Sequence, residues 1–485
     1  MKMRKLSQRV LTSFIALSVF EFGCNTPPKI STTSVEALAA YQDGVSHLDN
    51  FYFSQAARAL NNALKLDSTF VLAWGKLALV SMNADDEPSA QKYIARAFDN
   101  FGHASEREKL YVRMWNHSIY FRQDAAIAVA DSLLREYPDE PEAFVFRGRA
   151  YESRKRLDDA IKSYNGALAV DSTYPPAAMS LGYAYSQTGD QKKALLYMGR
   201  YIRLVPQSAD PRASYADLLV RVGEYEEALR QYKKSLDIKP DYWYSHTQIG
   251  NVYTIAGRLR DAEAEFVEGM KEFPENKREA WGLSMRAALN LLRGKFELAR
   301  DQYEQSFAAD SSNAGLKYGE IEALIKLKKF DGARSIVVEI HKGLVRRNLA
   351  ESPVMIGYYL AQSRLLTAQR EYERALDACD SARAFTTPLT RARVSQEEAE
   401  IYLQTKEFDR AFSSSEEALA INPNNPDALF LLAKIYHEKR DARMTSEIGG
   451  RLLAFWEMAD PDFLKLRELR QLLDYQQSRL LSTQN

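Results

Sequence analysis

The pattern of apolar and polar positions repeats along most of the chain every 34 residues. Four consecutive segments align without gaps, namely 141–174, 175–208, 209–242 and 243–276. Within each segment, positions 4, 7, 8 and 11 are spaced to share one face of a helix, and positions 20, 24 and 27 share one face of a second helix. Each segment is therefore predicted to form two amphipathic helices joined by a short turn.

Small residues and helix breakers stand at fixed positions of this unit. Position 8 is glycine or alanine and position 20 is alanine in all four segments. This predicts that the two antiparallel helices approach closely, with a large side chain at position 24 in the gap between them. Glycine recurs at position 15, where it suits the turn that ends the first helix, and proline recurs at position 32, where it stops the second. These residues are Gly189, Gly223 and Gly257, and Pro206, Pro240 and Pro274.

The same pattern continues on both sides of the four segments. Three units precede them, so that 37–276 is predicted to contain seven units. After short insertions, two further units are predicted in 280–347 and three in 356–460. The last segment, 461–485, is predicted to be a capping helix and tail that cover the final apolar face. A partner-binding helix is the alternative for this segment.

The spacing resembles that of the tetratricopeptide repeat (TPR) family, whose units carry W-L-G-Y…A…F…A…P at the positions described. The resemblance covers about 37–460, or about twelve units. It implies an all-α fold, a superhelical solenoid of antiparallel helix pairs with a capping helix at the C-terminal end. It also implies a concave groove, lined by the first helix of each pair, that commonly holds a peptide or a partner helix.

The N-terminal residues have the character of a secretory leader. Four lysine and arginine residues precede the apolar stretch 10–20, which is shorter than the about 20 residues that a membrane-spanning helix needs. The sequence Gly23-Cys24 then resembles the lipobox of bacterial lipoproteins, although Glu21 and Phe22 depart from its pattern. Residues 1–23 are therefore interpreted as a lipoprotein-type signal peptide, Cys24 as the lipid attachment site and 24–36 as a tether. The alternative is an incidental cysteine in a leader that is uncleaved or cleaved elsewhere.

Composition and motifs give little support for a catalytic or metal-binding function. Sixty-five basic residues balance 65 acidic residues, so no overall field draws the chain to nucleic acid. Two cysteines, Cys24 and Cys379, are too few for a disulfide framework or a multi-cysteine zinc site. The six histidines are scattered, and no catalytic or nucleotide-binding motif is present. We therefore expect no catalytic residue, no metal and no small-molecule cofactor, and we expect Cys379 to be a buried structural thiol.

The groove is the predicted place of binding. In the family that the chain resembles, positions 5 and 9 of each first helix face inward, and in the N-terminal half these positions combine aromatic and apolar residues with an arginine, as interaction hot spots do. The predicted partner-binding residues are Tyr111, Trp115, Arg149, Met179, Tyr183 and Asn251. Only Asn251 matches the two-cation clamp by which chaperone-binding members hold a C-terminal carboxylate, so that clamp is not expected. Packing of Tyr111 and Trp115 between neighbouring first helices is the alternative.

The favoured function is a non-catalytic scaffold or adaptor that binds a protein or peptide in its concave groove. The leader places it in the bacterial cell envelope, attached to the membrane through the lipid on Cys24. The alternative is a cytoplasmic regulatory TPR module that controls an enzyme or the transcription machinery, with the leader misinterpreted. A third class, a carbohydrate-related protein that uses the groove aromatics, has less support because no suitable pair of carboxylates accompanies them.

Overall fold

The computed structural model describes residues 30–50, 52–84, 86–311, 313–347 and 349–483. Within these residues the chain forms 25 α-helices, one 3₁₀ helix at Phe101–His103 and no β-strand. The α-helices are α1 (Val35–Asp49), α2 (Phe53–Leu66), α3 (Val71–Asn83), α4 (Glu87–Asp99), α5 (Glu106–Ile119), α6 (Gln123–Glu136), α7 (Pro141–Ser153), α8 (Leu157–Val170), α9 (Pro175–Thr188), α10 (Gln191–Leu204), α11 (Asp210–Val222), α12 (Tyr225–Ile238), α13 (Trp243–Ile255), α14 (Leu259–Glu272), α15 (Glu275–Leu292), α16 (Phe296–Ala309), α17 (Leu316–Lys326), α18 (Phe330–Arg346), α19 (Met355–Ala368), α20 (Tyr372–Arg383), α21 (Pro388–Gln404), α22 (Phe408–Leu419), α23 (Pro426–Glu438), α24 (Ala442–Phe455) and α25 (Leu464–Thr483).

Helices α1–α24 pack as consecutive antiparallel pairs, and the second helix of each pair contacts the first helix of the next. This confirms the predicted all-α solenoid of helix pairs. Helix α25 lies in the predicted capping segment, and it buries Leu466 and Leu469 in the apolar face that the last pair leaves open. The division of the chain into blocks of seven, two and three units stays a prediction.

The turn inside each pair has a constant backbone geometry. At position 15 of ten successive units, φ is positive, between 54° and 88°. The residues are Phe121, Lys155, Gly189, Gly223, Gly257, Gly294, Lys328, Arg370, Lys406 and Arg440. The left-handed turn that glycine indicates in the sequence is therefore also made by lysine, arginine and phenylalanine. Side chains at these positions carry a cost of about 1–2 kcal/mol each, which packing of the helices on both sides must offset.

The two helices of a pair approach most closely at position 8. A Cβ atom at Gly148 would lie 2.3 Å from the ring of Tyr164, and one at Gly250 would lie 2.5 Å from the ring of Phe266. Both rings stand at position 24 and are buried. The large side chain thus occupies the space that the missing side chain leaves, as the sequence pattern predicts.

The solenoid is wound tightly enough for one coil to touch the next. We call α1–α13 the first coil and α15–α25 the second coil. Within the first coil, the turn of the first unit meets the sixth unit, since Lys239 lies over the ring of Tyr52 at 5.2 Å and the backbone N–H of Ala209 donates to the Tyr52 hydroxyl at 3.4 Å. Further along, Lys155 donates a hydrogen bond to the carbonyl oxygen of Ala384 at 3.0 Å, and Asn422 donates one to the hydroxyl of Tyr225 at 3.0 Å.

The contact between the coils is closest at two glycine turns. A Cβ atom at Gly223 would lie 2.2 Å from Oδ1 of Asn422, and one at Gly257 would lie 2.5 Å from the ring of Phe463. The backbone N–H of Asp460 also donates to the carbonyl oxygen of Gly257 at 2.9 Å. A single hydrophobic core joins buried residues between positions 209 and 289 to buried residues between positions 429 and 469. Units far apart in sequence therefore stabilise one another.

We expect Gly148→Ala to destabilise the fold by about 1–3 kcal/mol, because the added methyl group overpacks a gap already filled by Tyr164. Gly450→Ala in α24 is the matched control, since nothing lies within 4 Å of a Cβ added there. Alanine at that exposed helical position is expected to stabilise the helix by about 0.5–1 kcal/mol. Urea unfolding followed by circular dichroism measures both changes. Equal effects of the two substitutions would contradict the close approach at position 8.

Candidate functional site

The inside of the first coil encloses a cavity of about 620 Å³, here called the first-coil chamber. Its aromatic lining consists of Phe53, Phe146, Tyr174, Tyr183, Tyr201, Tyr242, Trp243 and Tyr244. Its charged lining consists of Asp49, Lys76, Glu142, Arg149 and Asp210. Ligand sites in proteins commonly measure about 300–1,000 Å³ and combine an apolar wall with a few polar groups. The chamber has that size and that mixture.

Lys76 and Glu142 form an ion pair on one wall. Nζ of Lys76 lies 2.6 Å from Oε1 of Glu142, and the lysine is only 4% exposed. Burial alone lowers the pKa of Lys76, but the carboxylate of Glu142, helped by Asp49, outweighs burial and the pKa is raised. The ammonium group therefore stays charged, and its charge is committed to Glu142.

Asp49 lies beside this pair, at the C-terminal end of α1. Within the described residues its carboxylate accepts no hydrogen bond and forms no ion pair within 4 Å. Burial raises the pKa of Asp49 to about 6, against the opposing attraction of Lys76 and Arg149. Asp49 is thus a carboxylate that has lost part of its hydration without gaining a partner.

Tyrosine hydroxyls surround two aspartates on the opposite wall. Asp210 accepts hydrogen bonds from Tyr201 at 2.9 Å and Tyr242 at 3.1 Å. Behind it, Asp217 accepts from Tyr232 at 2.6 Å and Tyr244 at 2.8 Å.

These hydrogen bonds also set the protonation states on that wall. Burial raises the pKa of Asp210 to about 6, although the two hydroxyl donors oppose the shift. Burial and the nearby carboxylates raise the pKa values of Tyr201, Tyr232, Tyr242 and Tyr244, so these hydroxyls remain protonated donors.

Three of the predicted binding residues line the chamber. Arg149 lies at position 9 of the fourth unit, and Met179 and Tyr183 lie at positions 5 and 9 of the fifth. Arg149 is exposed, and its guanidinium lies 5.8 Å from the ring centre of Phe146. The hydroxyl of Tyr183 reaches Asp217 at 3.4 Å. The structure therefore brings these three side chains to one surface.

The other predicted residues lie elsewhere. Trp115 is 1% exposed, and a Cβ atom at Gly75 would lie 2.4 Å from its ring, so it packs between two first helices. Tyr111 is also buried, and its hydroxyl donates to Glu140 at 2.7 Å. Asn251, in α13, lies outside the chamber lining and donates to Gln248 at 3.1 Å. Tyr111 and Trp115 therefore occupy buried positions in the wall, in agreement with the alternative that they pack between neighbouring first helices.

Sequence reasoning predicted Arg149 but missed the other four charged residues of the lining. Glu142 and Asp210 occupy position 2 of their units, Lys76 occupies position 6, and Asp49 occupies position 13. Positions 2, 6, 9 and 13 follow one another at helical spacing on one face of the first helix. That spacing was the available signal, because it extends the inward face beyond the two positions that the family resemblance suggests.

A second cavity, of about 470 Å³, lies inside the second coil. Two of its basic side chains pair with carboxylates of the lining: Arg364 lies 2.8 Å from Glu397, and Lys465 lies 2.5 Å from Asp427. Burial raises the pKa of Glu397 despite the attraction of Arg364. The pairing leaves these cations committed within the protein.

Few of the described residues are candidates for catalysis or metal binding. Cys379 is fully buried, and its burial raises the pKa of the thiol to about 12, although a hydrogen bond with Ser363 opposes the shift. At neutral pH the thiol is therefore protonated, as a structural cysteine would be. No cluster of three or more metal-ligating side chains occurs in the part of the chain that the structure describes. Cys24 lies outside the described residues, and none of the described helices is long and apolar enough to cross a bilayer.

Comparison with known families identifies the repeat. Models of the TPR repeat match residues 122–176, 216–254, 392–425 and 415–444. The tetratricopeptide repeats predicted from the 34-residue spacing are thereby confirmed.

Several curated proteins are similar to parts of this chain. The Vi polysaccharide export protein VexE of Salmonella typhi is 28% identical over 169 residues, which are 34% of this chain and 25% of VexE. The TPR repeat-containing protein MJ1428 of Methanocaldococcus jannaschii is 22% identical over 316 residues, 64% of this chain and 50% of that protein. The TPR repeat-containing protein YpiA of Bacillus subtilis is 20% identical over 294 residues, which are 54% of this chain and 67% of YpiA. The chain thus spans only a quarter of VexE and half of MJ1428.

Similar solved structures include the crystal structure of MamA, with 24% identity, a TM-score of 0.29 and coverage of 33% of this chain and 93% of that one. A tetratricopeptide repeat protein from Parabacteroides merdae has 14% identity and a TM-score of 0.37. It covers 60% of this chain and all of its own.

We expect Asp49→Asn to raise the free energy of unfolding at pH 7.5 by about 1–3 kcal/mol. The folded state raises the pKa of this carboxyl from 3.8 to about 6 and so binds its proton more tightly than the unfolded chain does. The penalty of ionising Asp49 is absent where both states are protonated, below about pH 4, and it is complete above about pH 6. Urea unfolding at pH 4 and pH 7.5 measures the difference between variant and wild type.

Asp43→Asn is the control for this prediction. Asp43 is exposed on the same helix, and its carboxylate lies 3.5 Å from Nε2 of His47. Its substitution is expected to change stability by less than about 0.5 kcal/mol at either pH. An Asp49→Asn effect of the same size at both pH values would show that burial of the charge is not its cause.

Proposed function

We propose that this chain, in which models of the tetratricopeptide repeat match four segments, is a non-catalytic scaffold that binds a segment of a partner protein in the first-coil chamber. Proteins with this repeat generally act as protein-interaction scaffolds. The observation that carries the proposal is the chamber itself, where eight aromatic side chains and five charged ones face a common space of about 620 Å³. Aromatic anchors beside charged groups are typical of interaction hot spots.

The size of the chamber favours an extended segment as the occupant. An α-helix with its side chains is about 10–12 Å across and would fill about 620 Å³ in little more than one turn, whereas an extended chain takes less volume per unit length. Within the first coil, Lys239 lies over the ring of Tyr52 at 5.2 Å, which joins the sixth unit to the first around the groove. We therefore infer that the partner enters as a chain end or an extended loop.

The predicted residues take different parts in this proposal. Arg149, Met179 and Tyr183 would contact the partner directly. Trp115 would act indirectly, through Lys76 of the lining, whose ammonium lies 5.1 Å from the centre of the Trp115 ring. Tyr111 supports the same region through its hydrogen bond to Glu140, and Asn251 would contact only a segment that extends beyond the chamber.

We expect Met179→Ala combined with Tyr183→Ala to weaken partner binding by about thirtyfold or more, as loss of a central hot spot does. Affinity capture with quantitative mass spectrometry, using the full chain, compares the partners of variant and wild type. The matched control is Leu196→Ala combined with Phe98→Ala, at two exposed apolar positions, 62% and 36% exposed, on second helices outside the chamber. A double variant that folds and keeps every partner of the wild type would refute binding in the chamber.

We further propose that Cys24 carries lipid and holds the protein at the membrane of a bacterial cell envelope. Support comes from the basic and apolar leader and from the lipobox-like Gly23-Cys24. Several acyl chains on one cysteine anchor a protein stably, because each buried CH₂ contributes about 0.8 kcal/mol. The name of VexE, an export protein, is compatible with an envelope role, although the match covers a quarter of that protein. The alternative remains a cytoplasmic regulatory module.

We expect Cys24→Ser to abolish labelling with palmitate and to release the protein from the membrane fraction, because the substitution removes the only acceptor thiol of the leader. Fractionation, palmitate labelling and N-terminal sequencing measure the outcome. Cys379→Ser is the control. This substitution is expected to leave labelling unchanged, because the thiol of Cys379 is buried. A Cys24→Ser protein that is still labelled and membrane-associated would refute the anchor. An intact leader in the cytosol would favour the regulatory module.

A further inference from the structure

We propose that the first-coil chamber recognises a positively charged side chain of the partner segment, a lysine ammonium or an arginine guanidinium, with Asp49 as its ion-pair partner. This rests on the proposed function, and it names the chemistry of the anchoring residue. It differs from the clamp expected of chaperone-binding relatives, which holds a carboxylate.

The charges of the lining favour a cation. Three carboxylates, Asp49, Glu142 and Asp210, face two cations, Lys76 and Arg149. One further positive charge therefore neutralises the chamber. Neutralisation matters more here than at the surface, because partly buried charges are screened less by water and salt.

Only one of the three carboxylates lacks a partner among the described residues. Glu142 is paired with Lys76 at 2.6 Å, and Asp210 accepts hydrogen bonds from Tyr201 and Tyr242. Asp49 has no such contact, and burial penalises its charge. Asp49 is half-buried, so its charge has lost part of its hydration without gaining a partner, and a ligand that supplies a cation next to Asp49 recovers that cost as binding free energy.

An anionic ligand fits the same surface less well. Lys76 is committed to Glu142, and the tyrosine hydroxyls on the opposite wall donate to Asp210 and Asp217. Arg149 is the remaining cation, but it is exposed and hydrated and lies over Phe146. The chamber therefore offers an anion one solvated partner and offers a cation one carboxylate that needs a partner.

The aromatic wall suits the aliphatic stem and the charged end of such a side chain. Tyr174 lies close enough to Asp49, Glu142 and Arg149 for their charges to act on its hydroxyl, and its own ring lines the chamber. Cations already lie over aromatic rings in this region, with Lys76 over Trp115 at 5.1 Å and Arg221 over Tyr183 at 5.6 Å. A ligand cation beside Asp49 would be attracted in the same way to an aromatic ring of the lining.

The test uses pools of capped pentapeptides with mixed neutral flanks and one fixed central residue: lysine, arginine, norleucine or glutamate. Each pool carries a neutral fluorophore and is titrated with the full chain, and fluorescence anisotropy gives the affinity. We expect the lysine and arginine pools to bind at least about tenfold more tightly than the norleucine pool, with glutamate weakest. The Asp49→Asn variant is expected to lose the advantage of the basic pools, whereas Asp43→Asn keeps it. Thermal unfolding confirms that both variants are folded.

The possible outcomes separate this inference from the proposed function. If all pools bind equally, or if the basic pools keep their advantage in Asp49→Asn, the charge recognition is wrong while peptide binding in the chamber stands. If no pool binds, both proposals fail. Putrescine is titrated in parallel, and binding of this free diamine as tightly as the lysine pool would overturn a peptide as the source of the cation.

Discussion

The architecture depends on the contact between the turns of the first coil and the loops of the second. At Gly223 and Gly257 the backbone itself meets the second coil, because a Cβ atom at either position would lie within 2.5 Å of Asn422 or Phe463. Glycine therefore meets two demands at once, a positive φ and a close approach. A solenoid whose units contacted only their neighbours would have an open groove. Here units about five or six apart also share hydrogen bonds and a core.

The curvature of the first coil changes the electrostatics of its groove, since every residue that lines the chamber belongs to this coil. In an open groove, water would hydrate Asp49 and Asp210 fully. Inside the first-coil chamber Asp210 is buried and Asp49 is half-buried, and the loss of hydration raises the pKa of each to about 6. The cost is offset at Asp210 by hydroxyl donors but not at Asp49 within the described residues. The second coil offsets the same kind of cost with ion pairs such as that between Arg364 and Glu397, so its interior resembles a polar core.

Much of the fold follows from local spacing, and part of the candidate site does as well. The gap at Gly148 that Tyr164 fills depends on two positions sixteen residues apart in one helix pair, so the sequence pattern indicates it directly. Arg149 and Met179 line the chamber at positions suggested by the family resemblance. Trp115 stands at an equivalent position but lies inside the wall, because the third unit packs more closely against Gly75. The pairing of Lys76 with Glu142 joins residues 66 positions apart, and no local pattern indicates it.

The sequence by itself determined the unit, the turn and the breaks between units. These features depend on interactions within about 34 residues, such as the steric needs of position 8 and the backbone conformation of position 15. Only the tertiary structure decided that the coils touch, that the groove is enclosed, and that Asp49 faces it without a partner among the described residues. Each of these depends on small rotations between successive units that accumulate along the solenoid, and no single unit contains that information.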